Sequence, residues 1–256
     1  MRILLPVLVV LHASCAPTVR TGNDVGGRLD PISAKWLQAG KAAFLKGDYA
    51  EAERCFRNAG DCAEGAYWLG RALCAQRRYD EARMLFDAAA EKFSGWRRLD
   101  ALVWGADCAM WFHDFADAAR RYQDVLGMGG EPEEELRLKL AMALLRSGAW
   151  RDAAEQFKKV LIGASTKAVE QKAQRGLFYC ARRHFAIQVA AFRHSKPAER
   201  LAEDLKKQGL DAYTVFYPEG PLYLVWVGHF ASYEQASEAL SRIRREERFE
   251  EALVVP

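Results

Sequence analysis

The chain has 256 residues, half of them apolar and 28% charged, with only eight prolines. That balance excludes a disordered polypeptide and leaves room for two ordinary domains. Lys plus Arg exceed Asp plus Glu by only three and are scattered, so nothing marks a surface for a nucleic-acid backbone.

The first element is the apolar run ILLPVLVVL at 3–11, preceded by Arg2 and followed by Ala13 and Ser14. Nine residues are too few to cross a bilayer as a helix, which takes about 20. The charged, apolar and small-residue regions are those of a secretory signal, expected over 1–15, and they imply export. LHASC at 11–15 resembles a bacterial lipobox, although His12 stands where that motif usually has an aliphatic residue. The resemblance implies lipidation at Cys15 and attachment to a membrane through the lipid. A plain secretory signal or an uncleaved anchor would also fit the segment. Residues 16–32 hold three glycines and two prolines with no periodic apolar face, and they read as a flexible tether. The other cysteines are Cys55, Cys62, Cys74, Cys108 and Cys180; five cannot all pair, and most sit at apolar helix positions, so buried thiols are expected.

From residue 33 a repeat begins. GDYAEAERCF, RRYDEARMLF, HDFADAARRY and GAWRDAAEQF share an aromatic, then Ala three places on, then a second ring four places later. The leading rings are Tyr49, Tyr79, Phe115 and Trp150, spaced 30, 36 and 35 residues apart, and the closing rings are Phe56, Phe86, Tyr122 and Phe157. Nine residues before each leading ring stands Gly40, Gly70, Ala106 or Ala141, inside another helical apolar pattern. Each unit is therefore a helix pair whose small residues let backbones approach, and stacked pairs bury a core that one pair cannot. The short first spacing suggests a shortened loop around Asn58–Cys62.

Over 33–164 this pattern resembles the tetratricopeptide repeat, with a further helix at 166–183 placed to cap the stack. By that family's phase, Leu37, Lys41, Tyr67, Arg71, Val103, Asp107, Leu138 and Met142 would line the concave groove, with Lys41, Tyr67, Arg71 and Asp107 as its polar contacts. Such a groove suits a peptide or helix of a partner protein; solvated charge on a spacer is the plainer alternative. Trp36, Trp68 and Trp104 read as inter-helix packing.

After Arg183 the period changes. FAIQVAAF (185–192), DAYTVFY (211–217), LYLVWVGHF (222–230) and ALVV (252–255) read as strands, 196–209 and 232–247 as helices, and PEGP (218–221) as a tight turn. The order βαββαβ, with an internal echo at an offset of 38 residues, gives a four-stranded antiparallel sheet carrying both helices on one face, a ferredoxin-like α+β domain over 184–256. The whole chain is thus multidomain, an all-α helical-repeat solenoid over 33–183 followed by that α+β domain. The other sheet face is expected to be open. Strand alternation sends Ile187, Val189, Tyr223, Val225 and Val227 toward the helices and Ala186, Gln188, Ala190, Leu224 and Trp226 to the open face.

IQVAAF and YLVWVGHF, in that order around an amphipathic helix, resemble the SPOR domain, a module that binds peptidoglycan glycan strands stripped of their stem peptides. Gln188, Val189 and Phe192 match its first strand; Tyr223, Val225, Val227, Gly228 and Phe230 match its third. Ala190, Ala191, Leu224 and His229 depart from the pattern, removing polar contacts. An indole at 226 suits the C–H face of a sugar ring, and Gln188 offers two donors and an acceptor. Gln188, Trp226, Leu224 and Tyr213 are therefore the candidate glycan contacts, with a protein-packing face as the alternative for Trp226.

Nothing in the chain points to catalysis. HExxH, GxSxG, a P-loop and GxGxxG are missing from the sequence, and the histidines have no thiol or carboxylate at a recurring spacing. The expectation is a non-catalytic envelope lipoprotein with no cofactor or metal. It would bind glycan strands through its last domain and an envelope protein through its repeats, in wall remodelling or division. An interaction scaffold that has lost sugar binding is the rival.

Overall fold

The computed structural model describes residues 30–217, 220–245 and 249–256. The expected signal segment, Cys15 and residues 16–29 of the expected tether lie outside these, as do two residues of the expected PEGP turn and the last two of the 232–247 helix. The described chain forms two compact units, one running through Leu144 and including Asp152–Gly176, the other comprising Leu145–Arg151 and Leu177–Pro256.

The helices come in pairs: α1 (Pro31–Leu45) with α2 (Tyr49–Asn58), α3 (Ala63–Ala75) with α4 (Tyr79–Lys92), α5 (Gly95–Trp111) with α6 (Phe115–Gly127), and α7 (Glu133–Arg146) with α8 (Trp150–Gly163). A ninth helix, α9 (Lys167–Cys180), follows. Helix α1 starts two residues before the apolar pattern does, because the Asp30 carboxylate accepts from the Ile32 and Ser33 backbone N–H groups and Pro31 occupies the first turn. Each leading aromatic opens the second helix of its pair. Two residues earlier the backbone turns left-handed, at Gly47 (φ 80°), Arg77 (φ 62°), His113 (φ 65°) and Gly148 (φ 82°). That shared turn reverses the chain between paired helices.

All four closing rings are buried, as are the alanines Ala52, Ala82, Ala118 and Ala153. The small residues act by close approach: a Cβ on Gly40 would lie 2.5 Å from the Phe56 ring, and one on Gly70 would lie 3.0 Å from Phe86. Gly176 of α9 meets Phe157 in the same way, so this part of α9 closes the last pair. The short first period has a different origin from the expected loop. Residues 59–62 join α2 to α3, whereas 93–94 suffice between α4 and α5; the missing length lies in both helices, α2 having 10 residues against 14 in α4 and α3 having 13 against 17 in α5.

In the second unit β1 (Phe185–Phe192), α10 (Ser195–Lys207), β2 (Ala212–Tyr217), β3 (Leu222–Phe230), α11 (Tyr233–Ile243) and β4 (Leu253–Val255) follow in order. The sheet has strand order β2-β3-β1-β4, and its paired strands run antiparallel. Ala198, Ala202 and Leu205 of α10 and Leu240 and Ile243 of α11 pack with Ile187, Val189, Val225 and Val227 in one core. Alternation assigns that face correctly with one exception. The register passes from Gln188↔Trp226 to Ala190↔Val225, so a bulge at Val189 turns Ala190 into the helix-side core and leaves Ala191 opposite Leu224.

Candidate functional site

Trp226 lies on β3, between Gln188 of β1 and Tyr213 of β2, at the middle of the sheet face away from α10 and α11. This face is not open. Trp226 is fully buried, Leu224 is 1% exposed and Gln188 8%. The covering residues belong to the same unit: the end of α9 and the link that follows it. The Tyr179 ring stacks on the indole at 6.0 Å with 12° between planes, and Phe178 meets it edge-on at 6.2 Å while also contacting Tyr217. The Arg182 guanidinium sits 3.5 Å from the Phe178 ring centre and 5.5 Å from the indole, and it donates to the Phe178 carbonyl. Burial lowers the Arg182 pKa from its ordinary value.

The expectation of an uncovered platform at Gln188, Leu224 and Trp226 is therefore corrected. The cause is a run of aromatics just ahead of β1, LFY at 177–179, which offers the apolar sheet face a dry partner. The polar groups beneath are satisfied internally, since the Trp226 indole N–H donates to Gln188 Oε1 at 3.4 Å. Periodicity alone missed Phe178, Tyr179 and Arg182 because 166–183 reads as one capping helix. The pair of rings about three turns into that helix, on the far side of Gly176 in sequence, was the available signal.

Tyr213 is half-buried at the margin of this face. Its hydroxyl donates to His184 Nε2 at 2.8 Å and lies 3.3 Å from the Gly228 carbonyl, and its ring stacks on His229 at 4.4 Å. His229 Nδ1 lies 2.8 Å from an Asp211 carboxylate oxygen, and the His184 and His229 rings are 4.5 Å apart. Burial, followed by His229 and Arg182, lowers the His184 pKa below the ordinary imidazole value, while burial raises that of Tyr213. The neutral His184 ring donates from Nδ1 to the Arg182 carbonyl at 2.7 Å and accepts at Nε2. Among the described residues no group of three or more His, Cys, Asp and Glu side chains could hold a metal.

The expected groove residues are half-buried and tied to their own unit. Lys41 Nζ donates to Glu64 at 2.7 Å and lies 5.0 Å from the Trp68 ring centre. Tyr67 donates to Asp100 at 2.6 Å, and Asp107 accepts from Lys139 at 2.9 Å and from Tyr122. Arg71 lies between aromatic rings, 4.6 Å from Trp68, 5.2 Å from Trp104 and 5.3 Å from Phe44, and its buried Nε has no hydrogen-bond partner. Leu37 and Leu138, expected in the groove, are core residues at 4% and 5% exposure, and Leu37 packs in one cluster with Phe56, Leu69 and Leu73. Trp68 and Trp104 pack against Phe44, Phe56 and Phe86 between helices.

The sequence profile of the SPOR domain matches residues 181–256, and that of the tetratricopeptide repeat matches 37–95 and 112–168. No curated protein sequence matches the chain. Among solved structures, the MamA D159K mutant superposes with a TM-score of 0.50 at 17% identity, covering 60% of this chain and 84% of that one. A kinesin light chain from Podosopora anserina with nearly identical TPR-like repeats gives 0.50 at 14% identity, covering 71% and 95%. At such identities the likeness establishes the fold of the helical region alone. A SPOR domain implies peptidoglycan binding, tetratricopeptide repeats imply contact with a protein, and both are binding modules. The chain is a tetratricopeptide-repeat region followed by a C-terminal SPOR domain.

Proposed function

We propose that this protein is a non-catalytic adaptor of the cell envelope, held to a membrane by a lipid on Cys15, that binds denuded glycan strands through its SPOR domain and a protein partner through its repeats. Its work would lie in wall remodelling or division, where cut glycan is exposed. The observation that carries this reading is the SPOR match over 181–256, together with the Gln188–Trp226 pair at the centre of the sheet. Two weak sites on one chain raise each other's effective concentration, so the adaptor would concentrate where wall and partner coincide.

Gln188, Leu224, Trp226 and Tyr213 are the proposed glycan contacts, and burial sets a condition on them. A sugar ring reaches the indole only when Phe178, Tyr179 and Arg182 leave it, so binding competes with that intramolecular stack. On the repeats, Lys41, Tyr67, Arg71 and Asp107 are the proposed partner contacts. Retention of the full chain on purified sacculi, with and without prior amidase digestion, tests the reading: digestion should increase retention.

The burial of Trp226 favours a second reading, a scaffold whose SPOR domain packs on its own chain and leaves glycan alone. It requires that digested and undigested sacculi retain the protein equally poorly.

A further inference from the structure

Cys74 near the end of α3 and Cys108 in α5 hold their sulfurs 3.3 Å apart. They come from the first helices of consecutive pairs, and both helices are fixed by a common core containing Phe86, Leu73 and Cys108 itself. The other described cysteines stand in different surroundings. The Cys55 thiol donates to Glu51, Cys62 Sγ accepts from the Gly65 N–H at the start of α3, and Cys180 is buried in the second unit. Only one pair is therefore poised for bond formation among the described residues.

We propose that Cys74 and Cys108 are an oxidation site that closes to an inter-repeat disulfide when the protein meets a disulfide oxidant. The inference does not rest on glycan binding. A bonded pair has its sulfurs at about 2.05 Å, so closure needs a small side-chain rotation and no rearrangement of helices. The separation already lies in the range, about 3–3.5 Å, from which reacting atoms attack.

Exposure sets the order of steps. Cys74 is half-buried and Cys108 fully buried, so an outside disulfide reaches Cys74 first. The Cys74 thiol loses its proton, its sulfur attacks the oxidant's disulfide, and one oxidant thiolate leaves. Cys108 then loses its proton, attacks the Cys74 sulfur of the mixed disulfide, and expels the second thiolate. Two S–H bonds and the oxidant's S–S bond break, and one protein S–S bond forms. The two electrons reside on the oxidant's two thiolates, which take up the two protons. The hydrogen bond with Cys74 and burial hold the Cys108 thiol well above the usual cysteine range, which disfavours Cys108 as the first thiol to attack. The product is a staple between α3 and α5 that shortens the free chain in the unfolded state, and an oxidising compartment would preserve it.

The test uses the full chain, reduced, freed of reductant and exposed to oxidised glutathione under native conditions. Thiols are then blocked in denaturant and the peptides mapped by mass spectrometry. The expected result is a cross-linked peptide pair joining Cys74 to Cys108, lighter by two hydrogens, with a raised urea midpoint. Cys108→Ser should trap glutathione on Cys74, whereas Cys74→Ser should leave Cys108 unmodified. The same oxidation in urea should lose the preference for this pair. Alkylation of both Cys74 and Cys108 after oxidation of the native wild type, or a stable glutathione adduct on Cys74 with Cys108 still free, would overturn the proposal.

Discussion

The Trp226 indole lies flat against the Tyr179 ring, 6.0 Å away and 12° from parallel, with neither ring significantly exposed. Stacked, water-free rings of this kind contribute both buried area and ring geometry. Tyr179→Ala should therefore cost about 3 kcal/mol in the stability of the C-terminal unit, and the Trp226 indole proton should exchange faster with solvent. Urea denaturation and NMR exchange at that proton measure the two effects.

The turn between paired helices is left-handed in every repeat, but only some copies use glycine. Gly47 has φ 80° with no atom within 4 Å of the place a Cβ would take, so Gly47→Ala incurs only the conformational penalty, about 1 kcal/mol. Arg77 adopts φ 62° at the equivalent position, and Arg77→Gly should relieve part of that strain and raise stability by about 0.5 kcal/mol. Opposite shifts in thermal midpoint from these two variants are expected.

Close approach makes a separate demand at Gly40. The Phe56 ring lies 2.5 Å from where a Cβ would stand, and Phe56 is itself 1% exposed, so the ring has little room to move. Gly40→Ala should destabilise the repeats by about 1–3 kcal/mol through overpacking. Phe56→Leu in the same chain should recover part of the loss, which a double-mutant cycle would measure.

His184 makes the C-terminal unit sensitive to acid. Its pKa is lowered below the unfolded value of 6.5, first by burial and then by the adjacent His229 and Arg182 charges, against the opposing effects of the hydrogen bond to the Arg182 carbonyl and, more weakly, of Asp211. The unfolded chain therefore binds this proton more readily than the folded one. The contribution of His184 is complete above 6.5 and is lost as pH falls below it. The unfolding midpoint should drop on acidification through this window, and His184→Gln should flatten the profile.

Much of this was legible in the sequence. The aromatic-to-Ala-to-aromatic spacing specified the helix pairs because every ring must meet a small residue on a neighbouring helix, as Phe56 meets Gly40. The four strands were equally plain, since β-branched and aromatic runs are separated by amphipathic helices. The bulge at Val189 was not legible, because a register shift depends on how β1 and β3 pair and not on the composition of either. Nor was the cover over Trp226. A sheet face facing water and one facing Phe178 and Tyr179 carry the same apolar residues, and only tertiary packing distinguishes them. The partners of the groove residues were hidden for a related reason: Lys41, Tyr67 and Asp107 look like free recognition groups in the sequence, whereas the fold sets Glu64, Asp100 and Lys139 beside them.

The central claim is that glycan and the Phe178–Tyr179 rings compete for one sheet face. Full-chain protein carrying Phe178→Ala and Tyr179→Ala together should bind amidase-digested sacculi several-fold more tightly than wild type, provided circular dichroism and denaturation confirm that it is folded. Adding Trp226→Phe and Gln188→Ala should remove the gain. Equal retention of the wild type and the uncovered variant, or a gain that survives the loss of Trp226 and Gln188, would contradict the claim.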